Sequence, residues 1–220
     1  MTKTTDFILI KASLSADAVP ALTAAGSWIP ACAGMTELGS VFTQICKQSP
    51  TPLTLHRSAW SADTQTLYLY ARLPQRTELS DDVLPALHAA FAQACPRAKD
   101  IRVARLESVF SKEGLSHADT PVFHYVVETD PEDGWADEIY RWYDTEHMPG
   151  LAAVSGCILA MRLLNHDHGP GSPVSFACYD LVTTATLGSP DWLAVRHTAW
   201  SDIARPHFTN TLRTMFDVIA

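Results

Sequence analysis

The sequence has little positive charge and no long apolar run, and both absences exclude classes of protein. The 16 Lys and Arg residues are outnumbered by 24 Asp and Glu residues, which gives a formal net charge of −8. The chain therefore lacks the basic surface with which proteins neutralise phosphates, and we expect no nucleic-acid partner. No stretch approaches the roughly 18 consecutive apolar residues of a membrane span. We expect a cytoplasmic protein with no membrane partner.

Cysteine is also scarce, and the motifs of common hydrolase and nucleotide sites are missing. Five scattered cysteines form no C-x-x-C pair: Cys32, Cys46, Cys95, Cys157 and Cys178. We interpret them as reduced core thiols, the alternative being that one is a reactive nucleophile. The chain has no G-x-S-x-G, no phosphate-binding glycine loop and no G-x-G-x-x-G. Serine-hydrolase, P-loop and Rossmann chemistry therefore have no support.

Apolar residues are abundant, at 47% of the chain, and they predict a globular protein. The second half has the element order β-α-β-β-α-β. Asp130-Pro131 and Ser189-Pro190 each supply a cap and a proline for a helix start, and Pro149-Gly150 is expected to end the first helix. The predicted strands are 122–128, 157–164, 174–182 and 209–219, and the predicted helices are 131–148 and 192–204.

The first half shows the same order more faintly. Its predicted strands are 7–11, 38–46, 65–73 and 101–110, and its predicted helices begin at Ser15 and span 80–95. Two local similarities indicate a duplication: Trp28-Ile29-Pro30 corresponds to His147-Met148-Pro149, and the segment at 88–91 corresponds to that at 197–200. We predict two units, residues 1–113 and 121–220, with a linker at 114–121.

The apolar character of the strands on both faces predicts how such units are stabilised. A four-stranded antiparallel sheet with both helices on one face leaves its other face bare. We therefore predict an α+β protein in which two ferredoxin-like βαββαβ units form a pseudo-dimeric α+β barrel. Such a barrel encloses a cavity, or leaves a cleft between sheet and helices, where a small molecule can bind.

One segment of the second half resembles a known family. Trp142-Tyr143, His147 and Pro149, followed by Val154-Ser155-Gly156 and a strand, resemble the W-Y-x(3)-H-x-P…V-P-G pattern of the dimeric α+β barrel superfamily, particularly its ethyl tert-butyl ether degradation (EthD)-like branch. The resemblance covers about residues 121–220. It implies small-molecule chemistry without a nucleotide cofactor: cyclisation, isomerisation, dehalogenation, cofactor-free oxygenation, or haem binding in some branches.

The sequence departs from that pattern in three ways. Ser155 replaces the usual proline, Trp28 stands in the first repeat where His147 stands in the second, and the two repeats are fused in one chain. We therefore expect one functional pocket per chain. We also consider a homodimer of such chains.

His147 and Tyr143 are the candidate catalytic residues. His147 is predicted in the last helical turn, where the carbonyl ends favour the imidazolium form, and it could act as a general acid or base. The alternative is that it only ties the loop at Gly156 to the helix end. Tyr143, four residues earlier, could hold an oxygen atom or could be a core residue with a hydrated hydroxyl. Trp142 beside it is a predicted ligand contact.

The other predicted ligand contacts lie on a helix and on strands. On the second helix they are His197, Trp200 and Arg205; a helix histidine could also ligate haem iron, and Arg205 could bind an acidic group or cap a helix. His124, Arg162 and Tyr179 are polar exceptions in apolar strands, so at least one of them should line a cavity.

We predict no metal site. His166-Asp167-His168 offers two imidazoles and a carboxylate, but it lies in a Gly/Pro-rich loop, so we interpret it as a solvated turn. We also expect no cofactor.

The functional hypothesis is a protein that binds or transforms a small hydrophobic or aromatic, or acidic, metabolite. As an enzyme it would be a cofactor-independent lyase or isomerase with His147 as acid or base and Tyr143 as its helper. The alternatives are a non-catalytic protein that binds a ligand or oligomerises, a haem protein, and a cofactor-free monooxygenase.

Overall fold

A computed structural model describes residues 1–18 and 41–219. The chain divides into two compact units, Met1–Glu107 with Val218–Ala220 (unit 1) and Ser108–Asp217 (unit 2). Both units are built from antiparallel strands and helices, so the fold is α+β. No helix in the described ranges is long and apolar enough to cross a membrane.

Unit 1 contains one four-stranded antiparallel sheet. Its elements are β1 (Thr2–Ser13), helix α1 (41–46), β2 (Thr54–Ser61), β3 (Thr66–Ser80), helix α2 (Val83–Ala94) and β4 (Lys99–Glu113). The strands pair in the order β4-β1-β3-β2. Buried Ile8, Ile10 and Leu69 of the sheet pack with Leu87 and Phe91 of α2, which form the core of the unit.

Unit 2 repeats this strand order. Its strands are β5 (Phe123–Pro131), β6 (Cys157–Asn165), β7 (Ser175–Leu181) and β8 (Phe208–Val218), paired as β8-β5-β7-β6. Its helices are α3 (Ala136–Trp142), α4 (Met148–Ala152), α5 (Pro190–Arg196) and α6 (Ala199–Ala204), with a π-turn (Tyr143–His147) between α3 and α4 and 3₁₀ turns at Thr184–Gly188 and Arg205–His207. The predicted hairpin of β6 and β7 is confirmed.

One prediction for the first unit is wrong, and others concern residues that the structure does not describe. Residues 41–46 are helical, so the predicted strand at 38–46 is wrong there, and the second strand is β2. The short apolar run was not enough to distinguish a buried strand from a buried helix. The helix predicted from Ser15 begins with a turn at 16–18 and otherwise lies outside the described residues, as does Trp28-Ile29-Pro30.

The helix boundaries of unit 2 also differ from the prediction. Pro131 ends β5 and does not begin a helix, because the Asp130 carboxylate accepts the Val174 N–H at 2.7 Å and thereby continues the sheet. Pro149 does not end the helical segment, since the π-turn lets a new helix start in which a proline is tolerated in the first turn. The predicted helix 192–204 is broken at His197, and Thr198 caps its second part.

The predicted linker at 114–121 is an ordered part of unit 2. The backbone N–H groups of Gly114 and Ser116 donate to the carbonyls of Ile158 and Cys157, at 2.8 and 2.9 Å. A Cβ atom at Gly114 would lie 2.1 Å from the Cys157 oxygen, which explains the glycine. The segment is therefore held against the start of β6.

Gly156 provides a test of the turn before β6. Its φ is +91°, and a Cβ there would lie 2.3 Å from Oγ1 of the buried Thr186, whereas Gly134 has a φ of +84° and no atom near its Cβ position. We expect Gly156→Ala to lower the free energy of unfolding by roughly 2–4 kcal/mol and Gly134→Ala by about 1 kcal/mol. Urea denaturation measures both, and equal effects would contradict the steric explanation.

Candidate functional site

Unit 2 contains a small cavity between its sheet and its helices. Its volume is about 30 Å³, and it opens to solvent on one side. The lining residues come from three strands, the π-turn and four other helical segments: Tyr125, Val127, Trp142, Tyr143, His147, Leu151, Tyr179, Trp192, Arg196, Arg205, Phe208 and Arg213.

The innermost wall is aromatic. Trp142, Tyr179 and Trp192 are each only 1% exposed. The rings of Tyr179 and Trp192 meet edge to face with centroids 5.3 Å apart, and Tyr125 stacks on Tyr179 from the neighbouring strand. Such aromatic pairs are rigid because each ring is held by its neighbours, so this wall has a fixed shape.

A π-turn holds the two predicted catalytic residues. Tyr143 and His147 are the first and last residues of the turn, and both side chains line the cavity. Single π-turns within helices are rare and occur frequently at functional sites. Asp144 of the same turn binds Arg162 of β6 through two hydrogen bonds, of 3.0 and 2.7 Å, so the turn is fixed to the sheet.

His147 is held on both sides. Its ring stacks on Trp142 with centroids 4.2 Å apart, and the backbone of Val195 on α5 is close enough to influence its pKa. Nδ1 has no hydrogen-bond partner among the described residues. In the tautomer of the neutral ring that carries its proton on Nε2, Nδ1 is an acceptor.

The charge state of His147 differs from the prediction. Burial, together with the positive charges of Arg205 and Arg196, lowers its pKa from 6.5 to about 3. The predicted imidazolium form is therefore wrong, because His147 lies within a buried turn and not at an exposed helix end. Burial also raises the pKa of Tyr143 far above its usual range, so this phenol stays protonated and can donate a hydrogen bond.

Three buried polar atoms of the lining residues have no hydrogen-bond partner in the described part of the chain. They are Nδ1 of His147, Nε1 of Trp142 and the hydroxyl of Tyr179. Buried polar groups are nearly always hydrogen-bonded, since an unpaired one costs about 1–3 kcal/mol. The group of three contains an acceptor, a donor and a hydroxyl that can be either, so together they can hold an oxygen atom of a small molecule or of water.

Three arginines line the cavity near its solvent side. Arg196 and Arg205 are half-buried and Arg213 is exposed. Arg205 donates a hydrogen bond to the Arg196 carbonyl at 3.2 Å, while no carboxylate of the described residues forms an ion pair with any of the three. The lining residues include no acidic side chain.

The other predicted contacts lie outside the cavity. His197 is exposed at the end of α5, and Trp200 donates from Nε1 to Glu138 at 2.8 Å. His124 is buried on the opposite face of the sheet, with Nδ1 2.7 Å from the Asp180 carboxylate. Arg162 supports the π-turn, as described above.

Several lining residues were not predicted from the sequence. Trp192 and Arg196 lie at i and i+4 on α5, a spacing that places them on one helix face and could have identified them together. Arg213 pairs with Val127 across β5 and β8, so finding it requires the strand register, which the sequence does not give.

The chemistry of thiols, metals and haem has little support in unit 2. Burial raises the pKa of the Cys157 thiol to about 12, so it stays protonated. No group of three His, Cys, Asp or Glu residues within 1–18 and 41–219 could hold a metal ion. His197, the histidine considered as a haem ligand, is exposed and lies outside the cavity.

Comparisons with known proteins define the fold. No protein-family model matches the sequence, and no curated protein matches it. Among solved structures, a protein from Lactobacillus acidophilus provisionally assigned as a monooxygenase matches with a TM-score of 0.59 and 10% identity, over 99% of this chain and 95% of that one. An anthrone oxidase-like protein matches with a TM-score of 0.56 and 11% identity, over 100% and 95%.

A further match is a protein provisionally assigned as a chlorite dismutase, with a TM-score of 0.52 and 11% identity over 97% and 95% of the two chains. The chain therefore shares its α+β fold with these proteins, and the similarity concerns the fold alone.

The pair of Asp144 and Arg162 can be tested by removing the negative charge. The Arg162 side chain is 3% exposed, and Asp144→Asn leaves its guanidinium buried without a countercharge. We expect a loss of roughly 2–4 kcal/mol in the free energy of unfolding, against less than about 0.5 kcal/mol for exposed Asp137→Asn on α3. Denaturation in urea measures both, and a near-neutral Asp144→Asn would show that other contacts hold the π-turn.

The lowered pKa of His147 predicts a pH dependence of stability. Above pH 6.5 His147 is neutral whether the chain is folded or unfolded; below it only the unfolded chain takes up the proton, until the pH approaches 3. Between about pH 7 and 4.5 this residue should therefore remove about 2–3 kcal/mol of stability. His147→Asn should lose correspondingly less stability over that interval in urea titrations, and identical profiles would contradict the buried neutral imidazole.

Proposed function

We propose that the cavity of unit 2 binds a small, partly hydrophobic metabolite and that His147 and Tyr143 catalyse proton transfer on it without a cofactor. One observation carries the proposal: a single aromatic cavity is lined by both residues, and it contains the unpaired atoms of His147, Trp142 and Tyr179. The small enclosed volume favours a short-chain or single-ring compound.

A lyase or isomerase reaction fits these groups. Nδ1 of His147 accepts a proton from a carbon next to a carbonyl group, and the C–H electron pair moves to form an enolate. The Tyr143 phenol donates a hydrogen bond to the enolate oxygen. Return of the proton to another carbon gives isomerisation, and expulsion of a leaving group gives elimination.

The low pKa of His147 sets a condition on this chemistry. A base with a pKa of about 3 is weak at neutral pH. Part of this lowering of the His147 pKa comes from the positive charges of Arg205 and Arg196. An anionic substrate beside these arginines offsets their effect on the pKa. The substrate itself therefore strengthens the base that acts on it.

The proposal is tested by hydrogen exchange, which detects deprotonation before the reaction is known. In D₂O, 2-oxobutyrate and phenylpyruvate should lose the NMR signal of the hydrogens next to the carbonyl faster with enzyme than without. We expect His147→Ala to slow the enzymatic exchange by about 100-fold or more and Tyr143→Phe by about 10-fold. Added imidazole should partly restore His147→Ala.

The matched control is His168→Ala, which removes an exposed histidine of the loop after β6 and should leave the exchange rate unchanged. Binding without exchange for any keto acid of the panel would favour a non-catalytic ligand-binding protein. Oxygen uptake in the same assay would favour the second candidate, a cofactor-free monooxygenase, since an enolate can react with O₂. Two of the structural neighbours carry names of that kind.

We also infer that the chain is a tandem of two ferredoxin-like units related to the EthD-like branch, covering the predicted ranges 1–113 and 121–220. With strands numbered 1 to 4 within each unit, both sheets have the order 4-1-3-2, which supports this assignment. Trp142, Tyr143, His147 and Pro149 of unit 2 support the branch. A homodimer of the chain stays a prediction.

A further inference from the structure

Three arginine side chains line the cavity of unit 2. Arg196, Arg205 and Arg213 come from α5, from the 3₁₀ turn that follows α6, and from β8. They are three of only 16 Lys and Arg residues in a chain of net charge −8. Three guanidinium groups around one small cavity are therefore a local concentration of positive charge in an acidic chain.

Their arrangement is unfavourable without a negative charge nearby. Burial and the charges of Arg196 and Arg213 lower the pKa of Arg205, which reflects repulsion within the group, and the charge of Asp202 offsets only part of this lowering. Elsewhere in unit 2, Arg141 pairs with Glu138 and Arg162 pairs with Asp144. The three cavity arginines have no such carboxylate among the described residues, so their charges remain available to a ligand.

The arginines also lie in a defined position relative to the unpaired atoms. Arg213 is exposed, whereas Trp142 and Tyr179 are 1% exposed. The cationic groups therefore lie toward solvent and the aromatic wall lies deeper. Arg205 is fixed by its hydrogen bond to the Arg196 carbonyl, so part of the cluster is preorganised.

We propose that Arg196, Arg205 and Arg213 recognise the carboxylate of the ligand, so that the cavity selects small carboxylic acids with the anionic group outward and an oxygen-bearing end inward. This inference rests on the proposed function only in using the same cavity. It defines the substrate class: short-chain or single-ring acids, and not their neutral amides, esters or alcohols. The inward oxygen meets the donors of Trp142 and Tyr179.

Matched pairs of acid and amide test the carboxylate requirement. Benzoate and benzamide, and isobutyrate and isobutyramide, have nearly equal size and differ in charge. Binding is followed by NMR through the indole N–H signal of Trp142, which is assigned with Trp142→Phe. We expect each acid to bind at least roughly 10-fold more tightly than its amide at neutral pH, with an advantage that shrinks as salt is added.

Arginine variants test which residues supply the charge. Arg213→Gln and Arg196→Gln should each reduce the preference for the acid by about 5-fold or more, while Arg213→Lys should keep part of it. Neither side chain has a partner among the described residues, so these variants should fold even if Arg205→Gln does not. Arg141→Gln, which removes an exposed arginine outside the cavity, should leave the preference unchanged.

Each outcome decides the question. Equal binding of acid and amide, or a preference that persists in all the arginine variants, overturns the carboxylate role. If either result is found and Tyr179→Phe also loses binding of the compounds, the cavity binds ligands without recognising their charge. The proposed function then stands although the carboxylate role does not. Failure of all four compounds to shift the Trp142 signal overturns the inference as well, whereas His147-dependent exchange of a ketone would still support the catalytic proposal.

Discussion

The break between α5 and α6 is the feature on which the rest of the site depends. In a continuous helix the carbonyls of Val195 and Arg196 would accept the N–H groups of Ala199 and Trp200. Thr198 instead starts a new helix, and both carbonyls are released. The Val195 carbonyl then accepts the Ser201 hydroxyl, and the Arg196 carbonyl accepts from Arg205, both at 3.2 Å. The helix interruption thus positions one of the candidate anion-binding residues and places the Val195 backbone beside the candidate base.

Close contact between α4 and α5 is the second requirement. A Cβ atom at Gly150 would lie 2.8 Å from a methyl carbon of Val195, so only a glycine lets the two helices approach to this extent. The bond from Asp144 to Arg162 holds the other end of the π-turn on the sheet. Because the turn is fixed at both ends, the imidazole has little freedom to reorient.

The sequence predicted the sheet of unit 2 better than its helices. Apolar runs and the hairpin loop placed β5 to β8 within a few residues, and the resemblance drew attention to Tyr143 and His147, which both line the cavity. The π-turn was beyond prediction, because no local signal distinguishes it from an α-helix. Thr198 was a cap signal inside an apparently continuous helix, and it was missed.

The residues that were missed share a physical reason. Whether a strand residue such as Arg213 points to the helices or away from them changes with a shift of one residue in register, so composition alone cannot place it. The faces of His124 and Tyr179, two polar exceptions on neighbouring strands, depend on register in the same way. His124 lies on the face opposite the cavity, whereas Tyr179 lines the cavity. Polar residues in apolar strands therefore identified the relevant strands, but they did not show on which face of the sheet each side chain lies.

The two units share a strand order but differ in their helices, and this difference bears on where function lies. In unit 1 the second helix, α2, runs unbroken from Val83 to Ala94, so its internal carbonyls are used within the helix. In unit 2 the corresponding segment is interrupted, and the released Arg196 carbonyl holds Arg205. The same sheet can therefore support a site in one unit when only the helices of that unit change. The fold is set by the sheet and its core, whereas the chemistry is set by a few residues at the helix ends.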